Sequence, residues 1–381
     1  MKILKLANII LLSKWIFRYP EKKKILVIDG TNDPFKFIFK KNEYGVIFRR
    51  GEEINLRIIF HCLKNLKFST INYYETYINF VKPKVILTYF DNFDFFYRLS
   101  RLTGIKTVIV TRGKRTLSDG LFKKDQVKKT NHNNFVDFMF VHNNIVKKSY
   151  EKIISGKVIP IGSLLNNVIK KYQKKNERKV LWISTYKPDG KDWINPKTKQ
   201  RFKNSFFQKN DKYVLSDLYK YAKKKSIELH ILGRLSNFQE NEEIKFYKNI
   251  IGNNFKFISK KDFPDSYKML EKYHFCFTTW STLGVEKLVK GGRVGFIFNK
   301  PKNQAWNGAR LGTIENFSKK GPFWTTCKSN DKKEFNRIFD FIFKSSNKKW
   351  IEVKKKYGYH LMEYDRDNKK FKKVIKSLIA N

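Results

Sequence analysis

The sequence predicts an α/β protein of two doubly wound, parallel-sheet domains that face a cleft. Short apolar runs alternate with helix-like segments along most of the 381 residues, and this alternation occurs twice, on either side of a polar stretch at 172–178. Turn residues such as Asp29-Gly30, Gly104 and Gly162-Ser163 close individual segments. Alternating strands and helices build parallel sheets, and a chain of this length suits two domains.

In the first half, the apolar run Lys23–Asp29 ends at a turn and predicts a buried strand. A β-α-β unit is clearest at Lys84–Tyr89, Asp94–Leu102 and Lys106–Thr111. The remaining predicted strands are Gly45–Arg49, Phe138–His142 and Lys157–Ile161, and the remaining predicted helices are 52–66, 69–81 and 144–154.

The second half starts afresh with a predicted strand at Lys179–Ser184. The segment 187–210 is longer than most connections, which is typical of a lid or of disorder. Further strands are predicted at Ile227–Leu232, Phe255–Ile258, His274–Thr278 and Arg293–Phe298, and the last of them is expected to close the core. Helices are predicted at 211–224, 265–273, 281–290, 332–344 and 348–359, followed by a short Lys-rich helix at the end.

These patterns divide the chain into four parts. An amphipathic N-terminal segment (1–22) precedes a first Rossmann-like domain (23–172), a second Rossmann-like domain (178–345) and C-terminal helices (346–381). In doubly wound sheets, ligands bind beyond the carboxyl ends of the strands, so the cleft between the halves is the expected site.

The net charge is extreme: 81 Lys and Arg against 34 Asp and Glu give +47. Such a field attracts nucleic acid, anionic lipid or phosphorylated substrates. A compositional explanation stays open, because Lys, Asn, Ile and Phe are all abundant, as an AT-rich genome produces. The cations are spread along the chain, and no zinc finger, RRM-like motif or basic heptad region is present, so no specific nucleic-acid partner is predicted.

Cysteine and histidine usage favours a reducing, cytoplasmic compartment without a metal centre. The three cysteines show no CxxC spacing, and the six histidines include no HExxH pair. No DxD-like metal motif stands out, so neither a metal nor a cofactor is predicted. The apolar stretch Ile3–Tyr19 is interrupted by Lys and Arg and is too short to span a bilayer. As an amphipathic helix it would lie on an anionic inner membrane or pack on the protein itself.

The sharpest functional signal is the string TTWSTLGVE at Thr278–Glu286. A strand ends, small hydroxyl residues turn the chain, and a helix begins. The free N–H groups and partial positive charge of a helix N-terminus bind phosphate. Ser281 and Thr282 could donate to that phosphate, and Glu286 could accept from ribose hydroxyls. Ordinary helix capping by the same residue types is the alternative.

At this point the chain resembles a known family. The string STLGVEKLVKGGRVGFI (281–297) is similar to the signature of bacterial surface carbohydrate biosynthesis proteins, which belong with GT-B-type glycosyltransferases. The strings PKVILTYFDNFDFFYRLSR, TVIVTRGKR and KVIPIGSLLNN resemble that family in the same order, so the resemblance covers about 25–298. It implies two Rossmann-like domains with a nucleotide-sugar held by the second, and it assigns Ser281, Thr282, Gly284 and Glu286 to the donor.

Other candidates follow strand ends. Arg234 could bind a diphosphate bidentately, or form a surface ion pair. Asp91 is a candidate general base for an acceptor hydroxyl, or a cap of the next helix. Asn92, Arg112 and Arg115 could hold an anionic acceptor or the donor phosphate, or form a solvated polar turn.

Two tryptophans after the last predicted strand, Trp306 and Trp324, are further candidates that could stack on a sugar. Together these residues predict a glycosyltransferase that moves a sugar from a nucleotide-activated donor to a cell-surface polysaccharide or glycolipid precursor. The expected partners are that donor, a glycan or lipid-linked acceptor, and an anionic membrane surface contacted peripherally. Two alternatives remain: a sugar epimerase or glycerophosphate transferase on the same scaffold, and a non-enzymatic polyanion- or membrane-binding protein.

Overall fold

The computed structural model describes residues 13–29, 34–48, 52–66, 69–112, 134–170, 176–188, 193–194, 201–202, 204–235, 239–300, 317–328 and 330–380. The chain forms two compact units. The first comprises Met1–Lys114, Gly120–Val168 and Asp365–Asn381, and the second comprises Arg115–Asp119 and Ile169–Tyr364. The C-terminal segment therefore returns to the unit that contains the N-terminal strands.

The strands of the first unit are β1 (Lys14–Ile16), β2 (Ile25–Ile28), β3 (Tyr44–Ile47), β4 (Glu53–Asn55), β5 (Val85–Thr88), β6 (Lys106–Val110), β7 (Phe135–Val141) and β8 (Ser155–Pro160). Six of them form a parallel sheet in the order β3-β2-β5-β6-β7-β8. β1 and β4 pair in parallel in a separate small sheet. The helices between them are α1 (Leu56–Lys64), α2 (Thr70–Val81), α3 (Phe96–Thr103), α4 (Asn144–Tyr150) and α5 (Leu164–Val168), with a 3-10 helix at Phe35–Phe37.

Both faces of the first sheet are buried, as parallel sheets require. Successive strand residues point to opposite faces, so Leu26 and Ile28 of β2 belong to one apolar cluster and Ile25 and Val27 to another. This double burial explains why the strands appear in the sequence as continuous apolar runs.

The strands of the second unit are β9 (Asn176–Ile183), β10 (Trp193–Ile194), β11 (Arg201–Phe202), β12 (Glu228–Leu232), β13 (Lys256–Ile258), β14 (Tyr273–Thr278), β15 (Arg293–Lys300), β16 (Lys320–Gly321) and β17 (Trp324–Lys328). The main sheet has the order β13-β12-β9-β14-β15-β17-β16, parallel except for the β16–β17 pair. β10 and β11 form an antiparallel pair. The helices are α6 (Asn204–Lys224), α7 (Glu240–Ile251), α8 (Asp265–Glu271), α9 (Thr282–Val289), α10 (Lys332–Lys344) and α11 (Asn347–Leu361).

The last helix, α12 (Lys369–Ala380), follows a 3-10 helix at Arg366–Asn368 and belongs to the first unit. Its Phe371 and Ile375 are buried in the same cluster as Ile25 and Val27 of β2. Asn368 fixes the approach to this helix: its side chain donates to the Leu164 carbonyl at 2.9 Å.

The α/β class with parallel sheets and C-terminal helices is confirmed. Three local expectations are wrong. Lys14–Ile16, expected within an amphipathic helix, form a strand because Glu53–Asn55 offer a pairing edge. The strand at Arg293 does not close the core, since β17 pairs with it further out. The segment expected to be a loop to residue 210 contains a strand pair, and α6 already begins at Asn204.

In the described part of the chain, no helix combines the length and the apolar run that crossing a bilayer would require.

Candidate functional site

In the second sheet, the direction in which successive strands are added reverses at β9. The chain proceeds from β9 outward to β12 and β13 on one side and then returns to β14 on the other side of β9. The carboxyl ends of β9 and β14 therefore flank a topological switch point, where open α/β sheets bind ligands. The predicted donor turn, 279–281, leaves the sheet at this point.

A buried carboxylate ties the two loops of the switch point together. Asp211 of α6 is 2% exposed. Its carboxylate accepts a hydrogen bond from Thr185 Oγ1, after β9, at 3.1 Å and another from Thr279 Oγ1, after β14, at 2.5 Å. The Asp211 carboxylate thus holds both loops in place at the base of the site.

A second buried carboxylate holds the loop after β12. Glu243 of α7 is fully buried and accepts from the backbone N–H groups of Arg234 at 3.0 Å and of Leu235 at 2.9 Å. The Ser184 hydroxyl, after β9, also donates to Glu243 and accepts in turn from Tyr247 Oη at 2.7 Å. Burial raises the pKa of Glu243, and these hydrogen bonds oppose the shift.

The Arg234 side chain lies over the loop after β9. Its Nη1 donates to the Tyr186 carbonyl at 2.8 Å, and the residue is otherwise exposed. The three consecutive residues Ser184, Thr185 and Tyr186 therefore contact, respectively, the Glu243 carboxylate, Asp211 and Arg234. This short loop links the loop that carries Arg234 to the turn that precedes Ser281.

The structure shows how the turn enters α9. Ser281 takes the N-cap position in an extended conformation, with φ −60° and ψ 134°, and its side chain makes no capping hydrogen bond. The Thr278 hydroxyl instead accepts the Ser281 N–H at 3.3 Å. Ordinary capping therefore does not occupy the Ser281 hydroxyl. The first intrahelical hydrogen bonds run from the N–H groups of Gly284 and Val285 to the Ser281 carbonyl, at 3.1 and 3.4 Å, so the N–H groups of Thr282 and Leu283 precede the hydrogen-bonded part of the helix.

Gly284 and Glu286 lie on the buried side of α9. A Cβ on Gly284 would lie 2.8 Å from Thr278 Cγ2, so glycine lets the helix approach the sheet. Glu286 is 4% exposed and accepts from Tyr267 Oη of α8 at 3.1 Å. Gly284 thus serves helix packing and Glu286 accepts a hydrogen bond from within the same unit, and the assignment of both residues to a donor stays a prediction.

The predicted site residues of the first unit differ in their exposure to solvent. Asp91 is 2% exposed, and its carboxylate accepts from the Tyr150 hydroxyl. Asn92 and Arg112 are exposed, and the Arg112 guanidinium lies 5.5 Å from the Phe90 ring centroid. Arg115 lies outside the described residues.

Asp91 does not cap the following helix, because that helix has Phe95 at its N-cap. Its role as a general base stays a prediction.

Trp324 is wrong as a candidate for sugar stacking. It is 2% exposed in β17, and its indole Nε1 donates to the Ser318 carbonyl at 3.0 Å. Trp306 lies outside the described residues. In the described ranges, no group of three or more His, Cys, Asp or Glu side chains is placed to hold a metal ion.

Sequence reasoning missed Asp211, Glu243 and the Ser184-Thr185 pair. The two acids lie in polar stretches that look solvated. The only available signal was position: Ser184 and Thr185 directly follow the first strand of the second half, at the edge where ligands bind.

A family model described as O-antigen biosynthesis protein matches residues 108–379. No curated protein matches the chain by sequence.

Three solved structures are similar to the chain in fold. One is a Listeria monocytogenes protein assigned as a UDP-N-acetylglucosamine 2-epimerase, with 14% identity, 93% of this chain and 96% of that chain covered, and a TM-score of 0.57. Another is the UDP-GlcNAc 2-epimerase from Neisseria meningitidis bound to UDP-GlcNAc, with 11% identity, 94% and 100% covered, and a TM-score of 0.54. A third is the wall teichoic acid polymerase TagF, with 12% identity, 94% and 90% covered, and a TM-score of 0.52. At these identities the likeness shows the fold, which is of the GT-B class.

Proposed function

We propose that this chain, which belongs to the family of O-antigen biosynthesis proteins, transfers a sugar from a nucleotide-activated donor to a precursor of a cell-surface polysaccharide. The observation that carries the proposal is the entry into α9. An uncapped helix N-terminus with two hydroxyl side chains leaves the sheet at its switch point, and a buried carboxylate holds the turn before it.

The donor diphosphate would bind at this N-terminus. The free N–H groups and the helix dipole favour an anion there, and Ser281 and Thr282 add hydroxyl donors. Arg234, tied to the same loop through the Tyr186 carbonyl, supplies a guanidinium that can bind phosphate oxygens. These groups lie on a preorganised frame, because Asp211 and Glu243 fix the loops that carry them.

In the transfer, an acceptor hydroxyl oxygen forms a bond to the anomeric carbon while the bond from that carbon to the donor phosphate breaks. The nucleoside diphosphate leaves with the bonding electron pair. The helix N-terminus and Arg234 stabilise this developing negative charge, which is the main electrostatic contribution such a site can make. The acceptor proton passes to a base, for which Asp91 is the candidate from the sequence.

Two further elements belong to the proposal. The reaction takes place in the cytoplasm, because the buried free thiols of Cys62, Cys276 and Cys327 suit a reducing compartment. The acceptor is a glycan or a lipid-linked glycan, in keeping with the family description. The transfer uses the nucleotide-sugar as a co-substrate and requires no other cofactor.

Ligand binding tests the donor site first. In a thermal-shift screen against UDP, GDP, ADP, CMP and CDP sugars, one nucleotide class should raise the melting temperature. Arg234→Gln should weaken its binding roughly 10- to 100-fold, the value of one or two charge-assisted hydrogen bonds. Arg98→Gln, which changes an exposed arginine of α3, should leave affinity unchanged. Failure of every nucleotide sugar to bind would contradict the proposal.

Product analysis then separates the chemistries. With the bound nucleotide sugar and a membrane glycolipid fraction, the proposal expects labelled sugar in the glycolipid and free nucleoside diphosphate in equal amounts. Conversion of the nucleotide sugar to its epimer, or transfer of glycerophosphate, would replace the transferase assignment with one of the alternatives on the same scaffold.

A further inference from the structure

A groove of about 690 Å³ opens at the amino end of β2, in the first unit. It lies between the segment that precedes this strand, the chain that follows the 3-10 helix at Phe35–Phe37, and α12. The candidate acceptor residues follow the carboxyl ends of strands in the same sheet, at the opposite edge. The groove is therefore separate from the site of the proposed transfer, and the inference below does not rest on that function.

The rim of the groove is basic. It is lined by five lysines and a single acidic residue, Glu43. Four of the lysines, Lys22, Lys24, Lys372 and Lys376, have no carboxylate within 4.0 Å in the described part of the chain. Lys372 and Lys376 are one turn apart on α12, so their ammonium groups lie on the same side of the helix.

The other charges of the groove are already engaged. Lys23 Nζ contacts Glu21 at 3.0 Å and donates to the Asn42 carbonyl at 3.1 Å. Glu43 accepts the backbone N–H of Lys40 at 2.6 Å. The groove consequently presents a surplus of uncompensated positive charge to whatever enters it.

The wall of the groove is apolar. Ile25 and Ile375 are buried in it, and Ile38, Phe39 and Ile379 are half-buried along it. A hydrocarbon lining under a cationic rim matches a ligand that has an anionic head and an apolar chain. A free phosphate or a nucleic-acid backbone would use the lysines and leave the apolar wall in contact with water.

We propose that this groove binds an acidic phospholipid, with its phosphate among Lys22, Lys24, Lys372 and Lys376 and the start of an acyl chain against Phe39 and Ile379. Occupation would dock the first unit on an anionic membrane surface through the amino edge of its sheet. Each lysine near such a surface contributes about 1 kcal/mol, or roughly a fivefold change in binding.

Vesicle co-sedimentation of the full chain tests the basic rim. The chain should bind vesicles of phosphatidylglycerol and phosphatidylcholine but not vesicles of phosphatidylcholine alone. Lys372→Gln with Lys376→Gln should lower the partition coefficient roughly 25-fold, two factors of about five. Lys223→Gln with Lys224→Gln, which removes the same charge from exposed positions at the end of α6, should change it less than about twofold. Equal losses in both double variants would overturn the proposal, because diffuse charge would then explain binding.

Two further arms address the apolar wall and the source of the anion. Ile379→Ser should weaken binding to the anionic vesicles several-fold while an unchanged melting temperature shows that α12 stays folded. Short-chain phosphatidylglycerol should compete for the groove, and inorganic phosphate at the same concentration should not. Competition by inorganic phosphate alone, or binding that disappears on removal of residues 1–12 but survives the α12 lysine changes, would overturn the groove as the lipid site.

Discussion

Glu243→Gln is the substitution that most directly probes how the second unit holds its loops. The Glu243 carboxylate is fully buried and accepts from two backbone N–H groups, of Arg234 and Leu235, and from the Ser184 hydroxyl. Glutamine keeps the shape and, with its oxygen at the Oε2 position, still accepts both backbone N–H groups, but its NH₂ group then replaces Oε1, which accepts from the Ser184 hydroxyl. One hydrogen bond to a charged group is lost, worth about 1.5–3 kcal/mol, and relief of the buried charge offsets part of it. The net cost should be about 2 kcal/mol.

Scanning calorimetry and nucleotide titration measure the two consequences. A loss of about 2 kcal/mol in a unit of this size lowers its melting temperature by roughly 4–8 °C. Affinity for the nucleotide ligand should fall as well, because the loop that carries Arg234 loses its anchor. Glu242→Gln, an exposed neighbour on the same helix, is the matched control and should change stability by less than about 0.5 kcal/mol.

The stability cost of Glu243→Gln should depend on pH in a defined direction. Burial raises the pKa of Glu243 above its ordinary value of 4.5, so the folded chain holds this proton more tightly than the unfolded chain. The contribution of this group to stability is therefore complete below the unfolded pKa and is lost as the pH rises through the folded pKa. The gap between wild type and Glu243→Gln should widen as the pH falls from neutral towards 4.5. A gap that narrows on acidification, or a variant as stable as Glu242→Gln, would refute the reasoning.

Three further substitutions test other parts of the structure. Asp91→Asn should lower the melting temperature by several degrees, because it weakens the hydrogen bond that the Tyr150 hydroxyl donates. The same variant tests catalysis by labelled-sugar incorporation: a transfer rate within a few-fold of wild type would show that Asp91 is not the base. Gly284→Ala should cost about 1–3 kcal/mol in urea unfolding, because the new Cβ would lie 2.8 Å from Thr278 Cγ2, and no loss would mean that the helix is free to shift. Glu271→Gln removes the carboxylate that contacts Lys287 at 3.5 Å and Lys290 at 3.3 Å, both with side chains 1% exposed, and should destabilise the chain by about 3–5 kcal/mol. A neutral result in calorimetry would contradict a stabilising role for these buried ion pairs.

The alternation of strands and helices was predictable because it depends on local patterns. Strands buried on both faces appear as apolar runs, and amphipathic helices such as Lys332–Lys344 were placed with the observed ends. Pairings between distant segments were not predictable in this way. The short β1 strand depends on Glu53–Asn55, and β17, which buries Trp324, depends on the edge of β15. No local sequence signal reports either partner.

The candidate site, too, was predictable from the sequence where it depends on local patterns and not where it depends on contacts between distant segments. The turn into α9 was visible in the sequence because small hydroxyl residues, glycine and a helix start lie within a few positions. The acids that hold it were not visible, since the burial of Asp211 and Glu243 depends on loops from strands β9, β12 and β14. Their neighbours in sequence are polar, which makes both acids look solvent-exposed.

Thr282→Pro measured against Thr282→Val is the most direct test of the claim that a phosphate binds at the start of α9. Proline is tolerated at the first helical position, and the extended Ser281 before it is compatible with proline, so this change removes one N–H donor and one hydroxyl without breaking the helix. Valine removes the hydroxyl alone. Isothermal titration with the nucleoside diphosphate should show proline binding roughly 10-fold or more weaker than valine, the value of one charge-assisted hydrogen bond. Equal affinities of the two variants would contradict the account, because the backbone donor would then take no part in binding.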